Sequence, residues 1–136
     1  MRIVIDTNVI ISAIFWTGKP KQLLNKVRHK KVIYLTSKDL LDELRDILVR
    51  KDKPFKLSEG EAERAVTGIQ ELGEIVQTHS QVTVCKDQRD NQVIECAIDG
   101  EAEYIVSGDI HLLELKTFRG VKIITVSDFL NKYGQI

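Results

Sequence analysis

Cysteine, net charge and long apolar runs are what this chain has least of. Two cysteines, Cys85 and Cys96, occur in 136 residues, too few for a disulfide-built scaffold. Cys96 falls among the apolar positions of an expected helix, so both are read as reduced and structural. His29, His79 and His111 are scattered, with no H-x-x-x-H or C-x-x-C spacing, which argues against a zinc site. The longest nearly apolar stretch, Val9 to Trp16, is broken by Ser12 and falls far short of the roughly 18 residues that a membrane span suggests. The beginning MRIVID lacks the apolar core and cleavage site of a secretory leader. The expectation is a cytoplasmic protein that does not enter a membrane.

What is present fits one ordinary α/β domain over residues 1–136, with 43% hydrophobic and 29% charged residues and neither repeats nor low-complexity linkers. Twenty basic and twenty acidic residues cancel, which disfavours electrostatic coating of a nucleic acid. Their distribution is uneven. No acid occurs from Thr7 to Lys38, whereas Lys19, Lys21, Lys26, Arg28, Lys30, Lys31 and Lys38 do. Such asymmetry steers a polyanion to one side of a molecule, and the segment from Lys19 to Lys38 is the candidate path for a nucleic-acid backbone, with a solvated helix face as the alternative. Phe15 and Trp16 are read chiefly as core, with base stacking as the alternative.

Strand and helix patterns alternate. Arg2–Ile5 and Val32–Leu35 read as buried strands. Between them lie a helical segment over Val9–Phe15, a turn at Thr17-Gly18 and a helix that Pro20 opens. The pattern Thr36-x-x-Asp39 predicts a helix to Arg50 with Leu40, Leu41, Leu44, Ile47 and Leu48 on one face. Ser58-x-x-Glu61 predicts another, ending near Gly73. A strand over Glu74–Thr78, a helix from Asp90, a strand at Ala102–Val106, a short helix over His111–Leu115, a strand at Val121–Ile124 and a helix over Ser127–Tyr133 complete the chain. No hairpin signal separates two alternating runs, so a mainly parallel sheet of four or five strands, flanked by helices in three layers, is expected.

In an open parallel sheet, ligands bind beyond the carboxyl ends of the strands. Asp6 and Asp109 occupy such positions, and Asp90 opens a helix leading into the strand before Asp109. At about 100° per residue, Glu43 lies at the edge of the apolar stripe of its helix, whereas Asp42 and Asp46 point further out. Aspartate is also a favoured helix cap, so each acid alone has a structural explanation; four converging on one sheet end require protons or a cation. Hard oxygen donors in that number suit Mg²⁺ or Mn²⁺ and phosphodiester hydrolysis.

The runs IDTNVIISA (Ile5–Ala13), LLDELRDIL (Leu40–Leu48), KDQRDNQVIECAIDGEAEYIVSGDIHLL (Lys86–Leu113) and IITVSDFL (Ile123–Leu130) resemble the PIN domain, and more narrowly the VapC-like toxins of toxin–antitoxin pairs. The resemblance spans nearly the whole chain. It implies a metal-dependent endoribonuclease acting on single-stranded or structured RNA, a homodimer, and a small antitoxin as partner. It assigns Asp6, Glu43, Asp90 and Asp109 as catalytic and metal-binding acids, with Thr7, Asn8 and Ser107 as supporting residues; Asp87 is a nearby acid read either as compensating for a missing acid or as a loop or helix-capping residue. Where related sequences usually read Thr-Gly-Asp-x-Asp, this chain has Ser107-Gly108-Asp109-Ile110-His111, so a frequent extra acid is replaced by His111. A PIN fold that only holds RNA or protein is the alternative. Phosphoacceptor folds also place Asp after a first strand, but neither the receiver pattern nor the Asp-x-Asp of dehalogenase-type enzymes is present.

Overall fold

A computed structural model describes residues 1–136. The elements run in the order β1 (Arg2–Ile5), α1 (Thr7–Phe15), α2 (Lys19–Arg28), β2 (Ile33–Thr36), α3 (Lys38–Leu48), α4 (Glu59–Leu72), β3 (Gly73–Ile75), α5 (Gln88–Asp99), β4 (Tyr104–Val106), α6 (Ile110–Leu113), β5 (Thr117–Phe118), β6 (Val121–Ile124) and α7 (Val126–Tyr133). They form one six-stranded sheet in the order β3-β2-β1-β4-β6-β5. All pairs are parallel except β5–β6.

The period of two along each strand separates two cores. Ile3 and Ile5 of β1, Tyr34 of β2, and Tyr104 and Val106 of β4 face the apolar sides of α1, α2, α3, α4 and α7. Val4, Leu35 and Ile105 face the other way, onto Val93, Ile94 and Ala97 of α5 and Leu112 of α6. The three expected layers are therefore present.

Local chemistry sets the boundaries, and in places it corrects the sequence reading. Helix α3 is capped by Ser37, whose hydroxyl accepts from the Leu40 amide at 3.3 Å. Thr36, the expected cap, instead ends β2 and pairs with Ile75. The capping box of α4 forms as expected, with Ser58 and Glu61 bonding reciprocally. Gly73 ends that helix where β3 meets β2, and a Cβ there would lie 2.6 Å from the Tyr34 ring, so glycine admits the pairing.

Two further differences concern strands and aromatics. The sheet has six strands, because Thr117–Phe118 folds back on Val121–Ile124. Arg119 and Gly120, at φ 49° and 86°, make the two-residue turn with both central residues left-handed that a hairpin favours. Phe15 does pack against the core and stacks on Phe55 with centroids 4.3 Å apart. Trp16, expected in the core, is 51% exposed and meets the other two rings only edge-on. Cys85 and Cys96 are both free thiols. No helix is long and apolar enough to cross a membrane.

Candidate active site

Strand order positions the site. From β1 the chain moves outward to β2 and β3 on one side, then returns to β4 on the other. The crevice between the ends of β1 and β4 is thus the topological switch point, where open α/β sheets bind ligands. Asp6 follows β1 there, and its amide donates to the Val106 carbonyl at 3.0 Å, extending the β1–β4 pairing by one bond.

The four acids differ in how they meet the helix ends. Asp6 precedes α1, yet its side chain makes no capping bond. It is 7% exposed and accepts from the Ser107 hydroxyl at 2.6 Å. Asp90 was expected to open α5, but Asp87 is the cap, accepting from the Arg89 amide at 2.9 Å. That leaves Asp90, also 7% exposed, in the first turn with no capping duty. Asp109 does cap, holding the His111 amide at 2.8 Å through one oxygen. Glu43 is half-buried on α3 and accepts from the Thr7 hydroxyl at 3.2 Å.

All four acids line one pocket of about 200 Å³ together with Asn8 and Asp87. Ser107, itself buried, joins two of them: its oxygen accepts from the Asp109 amide at 2.9 Å while its hydroxyl donates to Asp6. Thr7 and Ser107 therefore support specific carboxylates, Asp87 caps a helix at the rim, and Asn8 is exposed at the mouth. His111 is exposed and lines a neighbouring depression rather than the carboxylate pocket. Asp42 is bound to Lys38 and Arg45 at the surface, and Asp46 is exposed, so neither enters the site.

The electrostatics follow from burial that hydrogen bonds and Arg89 offset only in part. Burial raises the Asp6 carboxyl above its ordinary range; the Ser107 bond opposes this and the Asp109 charge adds to it. Burial also raises Glu43, helped by the charge of Asp6. Asp90 is pushed up to about 7, first by burial, then by the adjacent Asp109 carboxyl, then by the charges of Asp87 and Asp6. Near neutral pH, without a cation, Asp90 therefore retains a proton much of the time.

The donor set is that of a hard divalent cation, with carboxylate oxygens, no thiolate and no imidazole in the pocket. As placed, no three His, Cys, Asp or Glu side chains stand close enough to hold an ion. The chemistry of the donors fits a metal.

Sequence reading missed three cations: Arg50, Lys53 and Arg89 line the same pocket. Arg89 could have been noticed from its place beside Asp90. Arg50 and Lys53 depend on the path of the segment after α3, for which no sequence signal exists. The basic segment is only partly free. Lys26 donates to the carbonyls of Gly134 and Ile136 at 3.0 Å each, fastening the end of the chain after α7.

Comparison with known proteins agrees with this architecture. The sequence matches the PIN domain family over residues 2–111. It is 30% identical to an uncharacterized protein of Methanocaldococcus jannaschii over 118 residues, covering 85% of this chain and 76% of the relative. The fold matches that of VapBC2 from Rickettsia felis, solved bound to a DNA fragment from its promoter, with a TM-score of 0.62 at 15% identity over 90% of this chain and 97% of the other. It also matches PAE2754 from Pyrobaculum aerophilum, with a TM-score of 0.64 at 13% identity over 99% and 90%. A parallel sheet flanked by helices, with acids gathered at its switch point, defines the class as an α/β protein with an acidic switch-point pocket. Within that class the chain belongs to the PIN domain family, whose members are generally nucleases that use divalent metal ions.

Proposed function

We propose that this chain, as one PIN-like unit over residues 1–136, is an endoribonuclease that hydrolyses phosphodiester bonds of single-stranded or structured RNA with Mg²⁺ or Mn²⁺. The observation that carries the reading is the behaviour of Asp6, Glu43 and Asp90: buried or half-buried at the switch point, all three carboxyls are raised, and no cation is hydrogen-bonded or ion-paired to any of them. Such an arrangement costs stability and is retained where function needs it.

Asp6, Glu43, Asp90 and Asp109 are the residues that would hold the ion. The chemistry it supplies is a counter-charge for the carboxylates and scissile phosphate and a lowered pKa for a bound water. The protein's own groups do the rest. Ser107 occupies one oxygen of Asp6 and leaves the other for the site, while Thr7 fixes Glu43. Arg50, Lys53 and Arg89 on the pocket wall are placed to hold non-bridging phosphate oxygens. Asn8 at the mouth presents an amide to the incoming strand. Asp90 would hold the ion only as its carboxylate.

The likeness to VapBC2 supports a toxin role with a small antitoxin partner; a homodimer and a cytoplasmic setting belong to the same proposal. The alternative of a PIN-fold RNA- or protein-binding module draws on one observation, the wide spacing of the acids. One experiment separates them: incubate the protein with labelled structured RNA in Mg²⁺, Mn²⁺ or EDTA beside Asp6→Asn and Asp109→Asn. Cleavage that needs metal and is lost in both variants supports the nuclease. RNA binding without cleavage under every condition supports the module.

A further inference from the structure

Two depressions of similar size flank the carboxylate pocket, and their linings differ in charge. One, of about 510 Å³, shares Asp87 and Asp90 with the pocket and adds Glu114, with Lys86 as its one lysine or arginine. The other, of about 520 Å³, shares Asn8 and Asp109 with the pocket and runs between α1, the start of α2 and the start of α7. Beyond Asp109 its lining is uncharged and rich in hydroxyls: Ser12, Thr125 and Ser127, with Pro20 at the far side. At that side the Lys19 ammonium donates to the Ser127 hydroxyl at 3.0 Å. Lys19 also begins the basic surface of α2 that continues through Lys26, His29 and Lys31.

A strand leaving the carboxylates thus meets two further acids, Asp87 and Glu114, on one side. On the other it meets hydroxyl donors and then a lysine. Phosphates are held by Lys, Ser and Thr side chains, and acid-lined surfaces repel them. Resting on the nuclease reading above, we propose that the Ser12–Thr125–Ser127 groove is a subsite for the sugar–phosphate backbone of the RNA strand on one side of the cleaved bond, with Lys19 taking a phosphate at its exit. No aromatic side chain lines this groove, so it contributes affinity without reading bases. Lys19 exchanges its bond to Ser127 for a phosphate oxygen when the strand enters.

Binding tests the groove separately from cleavage. In an Asp6→Asn parent with Mg²⁺, a labelled single-stranded RNA is titrated by fluorescence anisotropy at several salt concentrations. Lys19→Gln is compared with Lys86→Gln, an equal charge change beside the acidic depression, and Ser12→Glu adds an acid within the groove; thermal melting verifies that each variant is folded. The expected result is weaker binding by about threefold for Lys19→Gln, a salt slope smaller by about 0.7 for the lost phosphate contact, a larger loss for Ser12→Glu, and less than about twofold change for Lys86→Gln. Equal losses for Lys19→Gln and Lys86→Gln, or Ser12→Glu binding like the parent, would overturn the proposal. Groove-dependent binding with no cleavage by the wild type would retain the subsite and discard the nuclease, whereas cleavage with groove-independent binding would do the reverse.

Discussion

The two ends of α5 each bury an aspartate, and the two carboxyls are treated oppositely. Asp99, at the last turn, sits where the helix dipole disfavours an anion, and its side chain is 2% exposed. Burial raises its carboxyl, but bonds from the Ser80 hydroxyl and from the Ser80 and His79 amides outweigh burial and hold it below the ordinary range. Asp90, in the first turn, sits where the dipole favours an anion, yet it is pushed up to about 7 by burial and by neighbouring acids. Helix position therefore does not decide the charge state; the supply of donors does. Asp99 fastens the segment around Ser80 to the fold, whereas no amide, hydroxyl or cation donates to Asp90.

Substitutions at the two ends should separate in kind. Asp90→Asn, like Asp6→Asn, is expected to lower metal-dependent RNA cleavage by a factor on the order of 10²–10³ while the protein stays folded; gel-based cleavage rates read this, and near-wild-type rates would place Asp90 outside the chemistry. Asp99→Ala is expected to leave cleavage per folded molecule intact but to destabilise the fold by about 1 kcal/mol, because the part-buried Ser80 donors and the exposed His79 amide lose their acceptor. Denaturant unfolding measures it, and a loss under about 0.5 kcal/mol would mean that water replaces the carboxylate.

The pH dependence sharpens the contrast. For Asp90, a folded-state value near 7 against an ordinary 3.8 means that the folded protein binds more protons than the unfolded chain between those values, so stability falls as pH rises across that window. In EDTA the loss between about pH 4 and pH 7 should be on the order of 1–3 kcal/mol. Asp90→Asn should reduce it, leaving the slope that Asp6 and Glu43 contribute, and Mg²⁺ should offset it; a flat profile in wild type would refute the proton-retaining site. Asp99 has the opposite sign, contributing stability that disappears as pH falls toward and below the ordinary carboxylate range. The smallest expected effect belongs to Lys26→Gln, remote from α5, whose exposed bonds to the chain end should contribute under about 0.5 kcal/mol in thermal melts.

The four acids were legible because each answers to a simple local rule: Asp6 and Asp109 end apolar runs, Asp90 precedes an apolar helical face, and Glu43 falls at a calculable angle from Leu44. Smaller boundaries were not, since neighbouring residues competed for the same role. Thr36 and Ser37 are adjacent hydroxyls, and pairing of Thr36 with Ile75 in the sheet decides between them. Asp87 and Asp90 are both plausible caps, and it is Asp87 whose side chain bonds the Arg89 amide. The β5 strand has two residues, too short to show a period, and its turn is marked only by a single glycine. Arg50 and Lys53 join the site through the folding of the segment after α3 rather than through any repeating pattern. Trp16 misled because an aromatic after an apolar helix reads as core, whereas α1 ends one residue earlier and turns it outward.

The hairpin that the sequence concealed bears on how this protein meets others. It closes one margin of the sheet with a strand of two residues, and the opposite margin is β3, with three. Neither offers a run of free amides and carbonyls long enough to template a further strand. Association through a shared sheet, the route to runaway stacking as well as to strand-donating partners, is thereby disfavoured at both margins. A regulator or a second copy would have to grip helices or enter the grooves, where recognition rests on side chains that can vary from one paralogue to the next without disturbing the fold.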